Sequence, residues 1–229
     1  MGAPPLSRQF RLKLDRTENF RREDFVVSPS NAEAVKAVDA WPNWHGGRLA
    51  LIGPEGSGKS HLAAGWATRT GAAVITPKSR VDLNALRGRA VLFEDADRSQ
   101  RGELLFHLMN MADHDGGGLL LTGRTPPANW PANLPDLRSR LNALTVAQIA
   151  EPDDAILESV LRKFFRERNI RPAEDVFPYL LRRIERSAPK ALEMVQRLDD
   201  AADAEGRAVS RALARQILEA DPPTLNLFE

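Results

Sequence analysis

The sequence predicts a three-layer α/β domain on a parallel sheet, followed by a smaller all-helical domain. Three observations carry that expectation. Apolar runs of strand length alternate with helical stretches over the first two thirds of the chain. Those runs are continuously apolar, as suits strands buried on both faces. From Pro152 onward apolar residues recur at helical spacing only.

Residues 1–24 read as an extended arm, with Pro4 and Pro5 ahead of Arg8, Arg11, Lys13, Arg16, Arg21 and Arg22. Phe25-Val26-Val27 is an apolar anchor opening the core domain, 25–151. Ser28-Pro29-Ser30-Asn31 reads as a helix start, with Ala34, Val35, Val38 and Trp41 on one face and Pro42 ending it. Five strands are expected, at Leu49–Ile52, Ala73–Ile75, Ala90–Phe93, Leu119–Thr122 and Ala143–Val146. The clearest helices between them are His61–Arg69 and Gln100–His114. In the helical domain, 152–220, residues such as Ile156, Val160, Phe164, Val176, Leu180, Met194, Leu198 and Ile217 form the stripes of a bundle core. Residues 221–229 read as a flexible tail.

A formal net charge of +1 supplies no general attraction to nucleic acid, so DNA contact is expected only indirectly. The absence of cysteine excludes disulfides, thiolate zinc sites and cysteine nucleophiles together. No apolar run approaches the ~20 residues of a membrane helix. Met1 to Leu14 carries prolines and charges where a signal peptide has its apolar block. A cytoplasmic protein with no membrane partner is expected.

Gly53-Pro54-Glu55-Gly56-Ser57-Gly58-Lys59-Ser60 follows the first strand and leads into a helix. Strand, glycine loop and helix start come in the order that a phosphate-binding P-loop requires. Its backbone N–H groups turn inward around a phosphate, and the helix adds about half a positive charge at its N-terminus. Lys59 is expected to reach the β- and γ-phosphates of ADP or ATP, and Ser60 to offer its hydroxyl to Mg²⁺. A carboxylate at the end of a neighbouring strand must complete the metal shell, and Val91-Leu92-Phe93-Glu94-Asp95 supplies one. Glu94 is the expected metal-side acid and Asp95 the water-orienting one. The usual order is Asp first, so each carboxylate is displaced by about one methylene. A ~1 Å error can cost about a hundredfold in rate, so slow hydrolysis is expected here.

Phe25-Val26-Val27-Ser28-Pro29-Ser30-Asn31 resembles the segment that opens the AAA+ domain of the bacterial replication initiator DnaA. Gly58-Lys59-Ser60-His61-Leu62 is similar to that family's G-K-T-H-L, and Leu121-Thr122-Gly123-Arg124-Thr125-Pro126-Pro127 to its L-T-S-D-R-P-P. Leu134-Pro135-Asp136-Leu137-Arg138-Ser139-Arg140-Leu141 matches L-P-D-L-x-S-R-L of the DnaA-related Hda regulators. The resemblance runs from about Gln9 to about Ala220. It implies a five-stranded AAA+ core with a helical lid, and too little chain after Ala220 for a DNA-reading domain.

The resemblance also implies partners and roles. Gln9-Phe10-Arg11-Leu12-Lys13-Leu14 is similar to a sliding-clamp-binding peptide, with Gln9, Phe10, Leu12 and Leu14 as the contact residues. The tail segment Thr224-Leu225-Asn226-Leu227-Phe228 resembles one too, without the leading glutamine. Phe25, Val26, Asn31 and His61 join the P-loop residues around the nucleotide. Arg140 takes the place of an arginine finger completing a neighbour's site, DnaA's own or that of a homodimer; Arg138 is spaced to point elsewhere. Arg124 stands at a polar sensor position where DnaA carries Asp. The second sensor arginine falls on Pro189, with Lys190 beside it. The implied function is negative regulation of replication initiation, by promoting hydrolysis of DnaA-bound ATP. A helicase-loader-like ATPase and a non-catalytic clamp-binding scaffold stay open as alternatives.

Two other features carry nothing. His107, His114, Asp113 and Asp115 read as solvated polar residues rather than a metal site. Trp41, Trp44, Trp66 and Trp130 show no stacking array and are expected in core or interface.

Overall fold

The computed structural model describes residues 22, 25–114 and 117–220. The Gln9–Leu14 and Thr224–Phe228 peptides lie outside them. Helix α1 (Ala32–Asp39) precedes β1 (Arg48–Ile52), α2 (Lys59–Thr70), β2 (Ala73–Ile75), β3 (Val91–Phe93), α3 (Gly102–His114), β4 (Leu119–Gly123), α4 (Pro135–Asn142) and β5 (Val146–Gln148). Four helices follow: α5 (Asp154–Glu167), α6 (Val176–Leu181), α7 (Ala188–Glu205) and α8 (Arg211–Ala220).

The five strands form one sheet in the order β2-β3-β4-β1-β5, with every neighbouring pair parallel. Ala50, Ile52, Phe93, Leu119 and Leu121 pack on one side with α3 and α4. Leu49, Leu51, Leu92 and Leu120 pack on the other with α1 and α2. Successive residues of a strand face opposite layers, so both must be apolar, which is why these runs do not alternate. Each leucine, isoleucine or phenylalanine among them contributes about 1.5–3 kcal/mol when fully buried. The outer strands are less protected: Val74 on β2 is 57% exposed and Val146 on β5 43%.

The last strand starts later than expected. Ala143 and Leu144 do not open it; they finish α4, donating to Ser139 O and Leu141 O. Leu144 plugs the core beneath the sheet. Pairing starts at Thr145, whose carbonyl accepts from Ala50 N at 2.9 Å. Trp44, Trp66 and Trp130 are buried as expected, but Trp41, Trp44 and Trp66 also cluster. Trp44 stacks on Trp66 with ring centres 5.2 Å apart, and Trp41 meets Trp66 edge-on at 6.2 Å. These residues are distant in sequence, and α2 carries Trp66 beneath the segment holding the other two.

The helical domain closes around Leu157, Leu161, Phe165, Phe177, Leu180, Val195, Leu198 and Leu213. Its first helix is capped by Asp153, whose Oδ1 accepts from Ile156 N at 3.0 Å. Ser187 caps α7, and Pro189 occupies its first turn, where a missing N–H costs nothing. Ala188 N donates to Gly56 O, joining this domain to the P-loop. No helix among the described residues is long and apolar enough to cross a membrane.

Candidate nucleotide site

The P-loop sits at the C-terminal end of β1, with α2 beginning at Lys59. Lys59 is buried, and its Nζ donates to Gly53 O at 2.7 Å and Pro54 O at 2.6 Å. Burial holds its pKa below the ordinary lysine value; the nearby Arg124 adds to this, while Asp95, Asp97 and Glu55 oppose it. Gly56 bends at φ +73°, and a Cβ there would come within 2.7 Å of Ser187 and 2.8 Å of Pro189 Cδ. Only glycine lets the start of α7 rest directly on the loop.

The carboxylate strand lies where the sequence places it. Ser60 Oγ donates to Glu94 Oε2 at 3.1 Å, and Thr122 Oγ1 donates to the same oxygen at 3.4 Å. Burial, foremost, and the adjacent Asp95 push the Glu94 carboxyl above the usual carboxylate range; Ser60, Thr122 and Lys59 pull it partly back. Asp95 adopts left-handed backbone at φ +51°, anchored by its N–H to Thr122 Oγ1 at 3.0 Å. Arg124, just past β4, pairs with Glu55 of the P-loop at 2.5 Å.

Phe25 stands edge-on to His61 at the start of α2, with ring centres 5.3 Å apart. Val26 borders an open groove of about 460 Å³ with Ala155 and Ser159 of α5. Asn31 is buried and spends its amide on the lead-in segment, donating to Val26 O at 2.9 Å and accepting from Ser28 N at 3.0 Å. Lys190 is directed along α7 to Glu193, at 2.9 Å.

The residues present fit a nucleoside phosphate. Ser57 Oγ is buried inside the loop with no hydrogen-bond partner among the described residues, a polar atom left for a ligand to satisfy. Ser60 and Glu94, already in contact, are a hydroxyl and a carboxylate of the kind Mg²⁺ selects.

Two contributors escaped the sequence reading. Thr122 orders both acids, and its one signal is a polar residue closing an apolar run. Asp97 accepts from Arg124 N at 2.9 Å through Oδ2, while its other oxygen is buried without a partner among the described residues. It is the third acid of Glu94-Asp95-Ala96-Asp97.

Arg140 lies away from this site. Its Nη1 donates to Asp113 Oδ2 at 3.0 Å, its guanidinium covers the Phe106 ring at 5.3 Å, and its side chain is 31% exposed. Asp113 also accepts from Arg48, the first residue of β1, whereas the P-loop follows the last. Four rises of about 3.3 Å separate the first and last residues of β1 by about 13 Å. Arg138 points elsewhere, donating to Ala128 O and Trp130 O. Asp113 is exposed, as expected of a solvated residue, but α3 also brings it against two arginines distant in sequence.

No family model matches the chain. In sequence it is 27% identical over 225 residues to chromosomal replication initiator protein DnaA of Thermomicrobium roseum, covering 86% of this chain and 48% of that protein. In structure it matches domain III of the replication initiation protein DnaA from Thermotoga maritima, with a TM-score of 0.71 at 17% identity, covering 89% of this chain and 97% of that one. The fold is AAA+. The AMPPCP-bound DnaA from Aquifex aeolicus shares it, with a TM-score of 0.63 at 18% identity over 83% of this chain and 68% of that one. The chain is related to DnaA-type AAA+ replication initiation proteins and spans about half the length of the curated relative it matches.

Proposed function

We propose that this chain is a regulator of replication initiation that binds ADP or ATP in its own P-loop and presents Arg140 to ATP held by a DnaA partner. The observation that carries the reading is the separation of the two features, with the P-loop after β1 and a partly exposed arginine beside its first residue. A body built this way offers its guanidinium to a neighbour while keeping its own nucleotide at the far end. A guanidinium beside a γ-phosphate stabilises transition-state charge, worth ~10³–10⁵ in rate.

The loop N–H groups and Lys59 would hold the phosphates, Ser60 and Glu94 the Mg²⁺, and Phe25 and Val26 would face the base. A nucleotide that binds the folded state alone would stabilise the AAA+ core. Asp95 is a weak candidate for orienting water, because its shorter side chain stands on left-handed backbone. Slow intrinsic turnover follows. Gln9, Phe10, Leu12 and Leu14 would tether the chain to the sliding clamp and raise the local concentration of a weak contact.

The test adds this protein and DNA-loaded clamp to ATP-bound DnaA and follows ADP production. Stimulation by the parent and its loss in Arg140→Ala is the expected result. An Arg140→Ala protein that stimulates as well as the parent would remove the proposal.

A further inference from the structure

The regulator reading requires Arg140 to leave its own surface far enough to meet a neighbour's phosphate. We infer that Asp113 and Arg48 are positioning residues that set how readily it does so. Asp113 holds Arg140 in reserve, and Arg48 makes its release cheap. This inference rests on the role proposed for Arg140 above.

Both guanidinium groups donate to one oxygen, Asp113 Oδ2: Arg48 at 2.7 Å and Arg140 at 3.0 Å. One carboxylate neutralises one cation, so the two arginines repel each other across it. They are not equally held. Arg48 also donates to Met109 O at 3.2 Å and is the more buried, at 16% against 31% side-chain exposure. Among the described residues Arg140 adds the face of Phe106 alone. Arg140 is therefore the partner that leaves.

A guanidinium that leaves a carboxylate with no second cation leaves its charge uncompensated. Here Asp113 keeps Arg48 and remains neutralised. A one-to-one pair between Asp113 and Arg140 would lack that exit. Gly46 leaves the room this arrangement needs. Its backbone is left-handed at φ +59°, and a Cβ there would lie 2.8 Å from Arg48 Nη2 and 2.9 Å from Asp113 Oδ1.

The prediction is a pair of opposite signs within one cluster. Asp113→Asn removes the hold and preserves shape. Arg48→Met keeps an apolar stem and leaves Asp113 to Arg140 alone. The full-length chain is treated with phenylglyoxal, and modification of Arg140 is followed by peptide mass spectrometry. Asp113→Asn should speed it by about two- to five-fold and Arg48→Met slow it by a similar factor, in line with the worth of a partly exposed ion pair. Phe106→Leu, which leaves the carboxylate alone, should also speed it. Stimulation of DnaA-bound ATP hydrolysis at sub-saturating protein should rank the variants in the same order.

A shift of both charge variants in one direction, or of neither, overturns the inference. Arg140→Ala separates the two ideas. If it still stimulates while the labelling order holds, the regulator reading falls and the reserve cluster stands. If it is inactive while the labelling order fails, the reverse is true.

Discussion

The two ends of β1 handle charge in opposite ways. At the P-loop end a buried cation, Lys59, is held by backbone carbonyls, with Glu55, Glu94, Asp95 and Asp97 nearby and Arg124 as the second cation. At the other end one carboxylate, Asp113, serves two arginines. The first end has acid to spare and backbone donors turned inward, which suits an Mg²⁺-bound polyphosphate. The second has guanidinium to spare at a partly open surface, which suits an anion brought by another molecule. On the proposed function one strand carries a receiving end and a donating end, and each is tested by breaking it without the other.

The largest expected effect comes from Arg140→Ala. Stimulation of partner hydrolysis should fall by about 10³-fold or more. ADP affinity of the chain itself, measured by calorimetry, should stay at the parent value. Lys59→Ala should give the complementary pattern at its own site, weakening ADP about 10- to 100-fold by removing charge-assisted hydrogen bonds. Equal loss of ADP binding in both variants would show that the two ends are not independent.

Glu94→Gln sharpens the contrast through pH. The Glu94 carboxyl lies above its ordinary value because burial disfavours its charge. Ionisation therefore costs stability above the folded-state pKa, and the cost fades as pH falls through it. The glutamine variant should melt a few degrees higher than the parent at neutral pH without nucleotide. That advantage should shrink under acid conditions, and Mg²⁺ should no longer strengthen nucleotide binding.

Asp153→Asn should have the smallest effect. Burial alone would raise this carboxyl, but hydrogen bonds from the Ser28 hydroxyl, from Ile156 N and from Ser30 hold it below the usual range. A depressed carboxylate adds stability above its unfolded value of about 3.9, lost as pH falls through the folded one. Asparagine retains a capping oxygen, so the loss at neutral pH should be about 0.3–1 kcal/mol from the missing charge at the helix start. Parent and variant should converge in thermal melts taken under strongly acid conditions.

Much of the nucleotide end could be read from residue order. A P-loop is contiguous, its strand and helix flank it directly, and Glu94-Asp95 closes an apolar run of its own. The fifth strand was misplaced because Ala143-Leu144 is apolar for another reason, plugging the core from a helix end. Arg140 could be singled out by its motif but its surroundings could not. Asp113 lies 27 positions before it, and Arg48 lies 65 before Asp113. Asp113 stood among polar neighbours that looked solvated. Thr122 gave only a faint cue, since its role depends on β4 lying beside β3.

Local order in the chain was enough to specify a phosphate loop, buried parallel strands and a helical partner domain, because each depends on backbone geometry and periodicity within a few residues. Which charges face one another was settled by assembly. Strand β1 and helices α3 and α4 bring Arg48, Asp113 and Arg140 to one edge, and Coulomb forces depend on that distance rather than on sequence separation.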